Sequence, residues 1–269
     1  MYQWIPDALR ETWSTIARTL RDRDERAFDA LTPCPGWTVR DVLSHLIGVE
    51  LYARGEPVPE VTGEAPAYVR NATGQVNEGF VAARRHLRGA DVLHEFIAVT
   101  SSSLQRLEPL TLGEWEYVDW SPEGERSVAS AYERRIVDSW IHLQDIRDAL
   151  LEPADDHGLG EEVTLNRFEA TMGYVWAKRA AAPEGSLLQF NIMGRTARTV
   201  RLRVVDSRGV PAEASADTPT LELTTAAPLF WRRCAGRINA EAFLRASATD
   251  VRGDTRLAQR LSDAMVMLP

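Results

Sequence analysis

The stretch TPCPGWTVRDVLSHLIGVE, residues 32–50, decides how the chain is read. It opens as a turn built from Pro33, Pro35 and Gly36 and closes as a helix. Thr38 and Asp41 stand at capping-box spacing, and Val39, Leu43, Leu46 and Glu50 mark the first stripe of a helical face. The spacing predicts a helix over residues 39–54. His45, one of only five histidines, lies about 130° from the centre of that stripe, on a flank shared with Val42, Val49 and Tyr52. On geometry alone the position predicts a partly exposed histidine, with a metal ligand as the alternative.

Working outward, Leu9, Trp13, Ile16 and Leu20 fall on one helical face, with Pro6 near the helix start. Residues 70–110 read as one long helix or as two broken near Gly89, and residues 127–151 supply another. No convincing strand interrupts these segments, so the expected architecture is an antiparallel four-helix bundle. The acidic, Gly- and Pro-bearing EPADDHGLGEE, residues 152–162, reads as a linker. Beyond it the pattern changes. A helix near residues 163–181 precedes TARTVRLRVV (196–205) and TPTLELTT (218–225), where Val200, Leu202, Val204, Leu221 and Leu223 alternate with polar residues as in half-buried strands. Helical patterns return at PLFWRRCAGR (228–237) and at TRLAQRLSDAMVML (255–268). The fold class expected is α+β in two domains, a bundle over residues 1–153 and a smaller α+β unit over residues 160–269.

The formal charge of −8 opposes binding to polyanions, which argues against nucleic acid and anionic membranes as partners. The N-terminus lacks the basic-then-apolar pattern of a secretion signal, and no segment approaches the roughly eighteen apolar residues of a spanning helix. A cytoplasmic protein is expected. Cys34 and Cys234 lie far apart in sequence and read as reduced thiols.

In RRIVDSWIHLQDIRDA, Asp138 and Asp145 flank His142 at helical spacings of four and three. Both carboxylates can therefore sit beside the imidazole on one face. The face is a solvated stripe of ion pairs if the helix is lined on one side only, and a ligand set if it is lined on both. With His45 from the other helix, Asp138 and His142 would give two imidazole nitrogens, one carboxylate and an open fourth position, which is the ligand arithmetic of a catalytic zinc site. His86, His94 and His157 offer no equally compact alternative.

The segments TPCPGWTVRDVLSHLIGVE, DSWIHLQDIRDAL and FWRRCAGRINAEAFLRASATDVRGDTRLAQRLSDAM together resemble the mycothiol-dependent maleylpyruvate isomerase family of actinobacteria, over nearly the whole chain. The resemblance implies an N-terminal DinB-like four-helix bundle carrying a divalent metal, usually zinc, and a C-terminal domain similar to sterol carrier proteins. It matches the family's metal ligands to His45, Asp138 and His142. Asp138 stands where the best-known members have glutamate, one methylene longer. Asp145 is then an outer residue behind His142, and Cys34 a structural part of the turn.

The activity so implied is attack by the thiol of mycothiol on an electrophilic small molecule. Release of the adduct would be thiol transfer, and rotation followed by departure of the thiol would be cis-trans isomerisation of a maleylpyruvate-like substrate. A non-catalytic metal or small-ligand binding protein on the same fold is the competing reading. Arg233 and Arg237, with Arg232, form the densest cationic segment of the second domain and are the candidates for contacting the cosubstrate. The expected partners are a small-molecule thiol and an electrophile, in a monomer or homodimer.

Overall fold

The computed structural model describes residues 2–61, 64–121, 124–154, 157–213 and 217–268, with the side chains of Trp120 and Ser121 left out. The chain divides into two compact units, Met1–Gly160 and Glu161–Pro269.

The first unit is helical. Its long elements are α1 (Trp4–Leu20), α3 (Val39–Tyr52), α4 (Ala72–Ala82), α5 (Gly89–Leu107) and α7 (Val128–Ala149), with the short helices α2 (Glu25–Phe28) and α6 (Leu112–Glu116) between them. The α1 stripe of Leu9, Trp13, Ile16 and Leu20 is buried, and this helix packs on α7 and α5 while α3 packs on α5, α4 and α7. Trp13 ties α1 to α7 through a 3.0 Å hydrogen bond from its indole to Ser139 Oγ. The segment after residue 70 forms two helices, and Gly89 is the first residue of the second. Glycine is needed there because a Cβ would lie 2.1 Å from the ring of Phe28. Gly48 plays the same part on α3, where a Cβ would meet Phe80 of α4 at 2.3 Å.

The expectation that no strand interrupts this half is corrected. β1 (Val118–Ser121) and β2 (Gly124–Ser127) pair antiparallel immediately before α7. Four-residue strands of mixed polarity carry too short an alternation to read from sequence.

The second unit begins within α8 (Leu159–Tyr174), which runs into a π-turn at Val175–Arg179. A five-stranded sheet follows in the order β5-β4-β3-β6-β7, formed by β3 (Leu187–Met193), β4 (Arg198–Val205), β5 (Arg208–Pro211), β6 (Leu221–Ala226) and β7 (Thr249–Gly253). The central β3 is parallel to β6 and antiparallel to β4, with Phe190 opposite both Leu223 and Val200. Helices α9 (Ala227–Cys234), α10 (Ala240–Arg245) and α11 (Thr255–Ala264) complete the unit. Leu188, Phe190 and Ile192 are buried on one side of β3, where Phe190 meets Phe230 of α9 edge-on at 5.3 Å. The intervening Gln189 and Asn191 are half-buried on the other side and bond to Glu222 of β6. Neither cysteine forms a disulfide; Cys34 is half-buried and Cys234 fully buried, and burial pushes the Cys234 thiol well above its ordinary pKa.

Candidate metal centre

The turn before α3 is held by its own backbone. Thr32 N–H and Oγ1 both donate to the Trp37 carbonyl at 2.9 Å, and Trp37 N–H donates to Cys34 at 3.1 Å. Gly36 adopts φ +79°, a conformation that strains any side-chain-bearing residue, and a Cβ there would lie 2.5 Å from the Tyr68 ring. The capping box forms as the spacing predicts: Thr38 N–H donates to Asp41 Oδ2 at 3.0 Å, and Asp41 N–H to Thr38 Oγ1 at 3.3 Å. Asp41 is in turn gripped by Arg85 Nε at 3.1 Å. The start of α3, and with it the azimuth of His45, is thereby fixed.

His45 is 5 % exposed, not partly exposed as the stripe alone suggests. Val39, Val42, Leu43, Leu46 and Ile47 are all buried too, so α3 is enclosed nearly all round and has no solvent flank at this level. The same holds for α7. His142, Asp145, Gln144 and Ser139 are buried together with Trp140, Ile141 and Leu143, which excludes a solvated stripe of ion pairs.

From these two helices, His45, Asp138 and His142 each bring one donor atom within 4.8 Å of the other two. His45 Nε2 lies 3.3 Å from Asp138 Oδ2, and His142 Nε2 lies 3.6 Å from Asp138 Oδ1. Two ligands held about 2.0–2.2 Å from a tetrahedral ion are themselves about 3.3–3.6 Å apart. Each imidazole thus stands at a ligand–ligand spacing from the Asp138 carboxylate that suits a small divalent cation. Asp138 Oδ2 and His45 Nδ1 are buried atoms with no hydrogen-bond partner among the described residues, a costly state for polar groups. His142 is different, since its Nδ1 lies 2.9 Å from Asp145 Oδ2. Asp145 thus stands behind the ring and turns Nε2 toward Asp138.

Burial lowers the His45 pKa against the pull of Asp138, which favours the neutral ring that a metal needs. Burial would raise the Asp138 pKa, but the surrounding His45, His142 and Arg135 outweigh it and hold the carboxyl below its ordinary range.

Trp37 is the residue that pattern reading overlooks here. Its ring centroid is 5.0 Å from that of His45 and 6.0 Å from that of His142, so the PGW turn lays an indole across both imidazoles. An aromatic residue directly after a tight turn is the only signal, and it reads equally well as ordinary core.

In the second unit Arg233 is 5 % exposed and donates from Nε, Nη1 and Nη2 to the carbonyls of Ser262, Ile238 and Asp263, at 2.8, 2.8 and 3.3 Å. Its charge answers the last carbonyls of α11. Arg237 donates to Ala235 O at 3.0 Å, and Arg232 lies over the Trp231 ring at 4.4 Å.

A family model described as the mycothiol maleylpyruvate isomerase N-terminal domain matches residues 9–147, just over half the chain and all three donors. The chain belongs to this family. Two crystal structures extend the likeness through both units of this mycothiol maleylpyruvate isomerase family member. One is of a mycothiol-dependent maleylpyruvate isomerase, 16 % identical, covering 93 % of this chain and 92 % of that one with a TM-score of 0.57. The other is of a histidine-to-alanine variant of a mycothiol-dependent maleylpyruvate isomerase, 17 % identical, covering 88 % and 90 % with a TM-score of 0.55. At such identities they establish the α+β fold. No curated protein matches the sequence. Among the described residues no helix is long and apolar enough to cross a membrane.

Proposed function

We propose that the protein is an enzyme that uses a divalent metal, zinc in the first place, held by His45, Asp138 and His142 to activate mycothiol for attack on an electrophilic small molecule. The convergence of three donors from two helices, with Asp145 bracing one of them, is the observation that carries this reading. Membership of a family named for a mycothiol-dependent isomerase supplies the thiol and the substrate class, a maleylpyruvate-like compound.

When bound, a divalent ion supplies the Lewis acidity that lets a thiol of ordinary pKa about 8.5 ionise at neutral pH. The chain's residues do the rest. Asp145 keeps a proton on His142 Nδ1 and so presents the Nε2 lone pair, Asp138 contributes a single negative charge, and Trp37 shields both rings from water. The donor set neutralises only half of a divalent charge. The thiolate sulfur then adds to an electrophilic carbon of a conjugated double bond. If that bond rotates and the new C–S bond breaks, the thiol is regenerated and the product is the trans isomer. If the adduct takes up a proton and leaves, the outcome is thiol transfer.

The test is a paired measurement on purified protein: elemental analysis, and thiol consumption with cis-trans conversion followed by absorbance, with mycothiol and a maleylpyruvate-like acid. Turnover that needs both metal and mycothiol is expected. A protein that binds metal but turns over neither thiol nor acid would be the non-catalytic binding protein instead.

A further inference from the structure

Arg135 lies on α7 one turn before Asp138 and two turns before His142, on the same face. Its side chain is 17 % exposed, and its Nη1 is buried with no hydrogen-bond partner among the described residues. Its ion pair is one long approach, Nε to Glu50 Oε1 at 3.5 Å. Two other arginines show what a closed fork looks like in this chain. Arg84 takes Glu95 through Nε at 2.9 Å and Nη2 at 2.6 Å, and Arg88 takes Asp91 through two contacts of 2.8 Å. Arg135 leaves the fork open. Glu50 is engaged from the other side, where Ser103 Oγ donates to its Oε2 at 2.6 Å and itself accepts from Arg54 Nη2 at 2.7 Å. Arg54 thus reaches Glu50 only through the Ser103 hydroxyl, and Arg135 is the arginine that approaches this buried carboxylate directly. The guanidinium is close enough to act electrostatically on both His45 and Asp138.

An unpartnered, desolvated guanidinium nitrogen one turn from a metal-donor set matches a planar carboxylate, which arginine holds through two parallel hydrogen bonds. We propose that Arg135 binds a carboxylate of the electrophilic substrate beside His45, Asp138 and His142, and so selects acidic electrophiles over neutral ones. The proposal rests on reading the site as a thiol-addition centre, and it assigns the substrate's anionic group a place that the three donors do not provide.

Calorimetric titration of full-length protein with maleate, a small planar dicarboxylate, tests it, with dimethyl maleate as the uncharged control. The titrations are run on metal-loaded and metal-stripped samples, so that chelation by the ion is separated from binding at the guanidinium. Arg135→Gln is expected to weaken maleate binding roughly tenfold or more in both states, with metal content and ester response unchanged. Arg135→Lys keeps a positive charge beside Glu50, which protects the fold, yet loses the fork and should also bind maleate more weakly. Equal maleate affinity in wild type and both variants, or no binding by the wild type, overturns the proposal. Two further outcomes separate it from the functional reading. A wild type that binds maleate through Arg135 and never consumes thiol removes the thiol-addition reading alone. A wild type whose thiol addition is indifferent both to Arg135→Gln and to the charge of the electrophile removes the carboxylate site alone.

Discussion

His142 Nδ1 lies 2.9 Å from Asp145 Oδ2, and Asp145 is 1 % exposed. An ionised carboxylate only accepts hydrogen bonds, so this contact puts the ring proton on Nδ1 and leaves the Nε2 lone pair facing Asp138. Asp145→Asn should lower metal affinity by roughly 10–100-fold, the usual cost of losing such a brace, with helicity intact. Asp138→Asn should cost more, because it removes a donor charge. Competition against a chromogenic chelator ranks the two, and a larger loss at Asp145 would make that residue the ligand.

His45→Ala and His142→Ala should each remove most of the bound metal while the far-ultraviolet dichroism stays that of a helical protein. The donors sit on long helices whose apolar packing does not depend on the imidazoles. Full metal retention in both variants would end the assignment.

The His45 pKa is lowered by burial, so proton competition for this ring starts below the ordinary value of about 6.5. Metal content should hold as the pH falls through about 6.5 and drop only in more acid solution. For the metal-free chain the sign is the same. The unfolded state takes up a proton at His45 before the folded state does, so this ring's contribution to stability is complete above about pH 6.5 and declines below it. Asp138, held below its ordinary range, loses its contribution further into acid. Metal loss already complete at pH 7 would contradict the buried-neutral description of His45.

Gly48→Ala should destabilise the first unit by about 1–3 kcal/mol, since the new methyl meets Phe80 Cβ at 2.3 Å, where neither helix can yield without repacking. The urea midpoint reads the change. An unchanged midpoint would mean that α3 and α4 pack less closely than described.

The bundle was legible because its helices carry long stripes and a capping box, and the alternation in residues 196–205 and 218–225 marked β4 and β6. The central strand β3 escaped although Leu188, Phe190 and Ile192 alternate with Gln189 and Asn191, because the apolar Leu187 and Met193 at its ends break the alternation. The edge strands β5 and β7 show too little apolar residue to register. At the site, residue types and spacing drew attention to His45, Asp138 and His142, while their burial did not follow from one helix at a time. A helical wheel reports one element's own stripe, and His45 is enclosed by its neighbours. Trp37 carried only its place after a tight turn and Arg135 no local signal, because their meaning depends on what α3 and α7 bring opposite each other.

Asp138 and His142 come from α7, and His45 from α3, which joins the chain far earlier. An ion held by all three would therefore be a cross-link between distant segments, closing a loop of roughly ninety residues and gaining the more from its length. Its loss should be felt as a loosened seam between these two helices before any helix melts. Chelation would then speed amide exchange first along the facing turns of α3 and α7, with the second unit's sheet unaffected, so that metal supply sets how tightly this half of the molecule holds together.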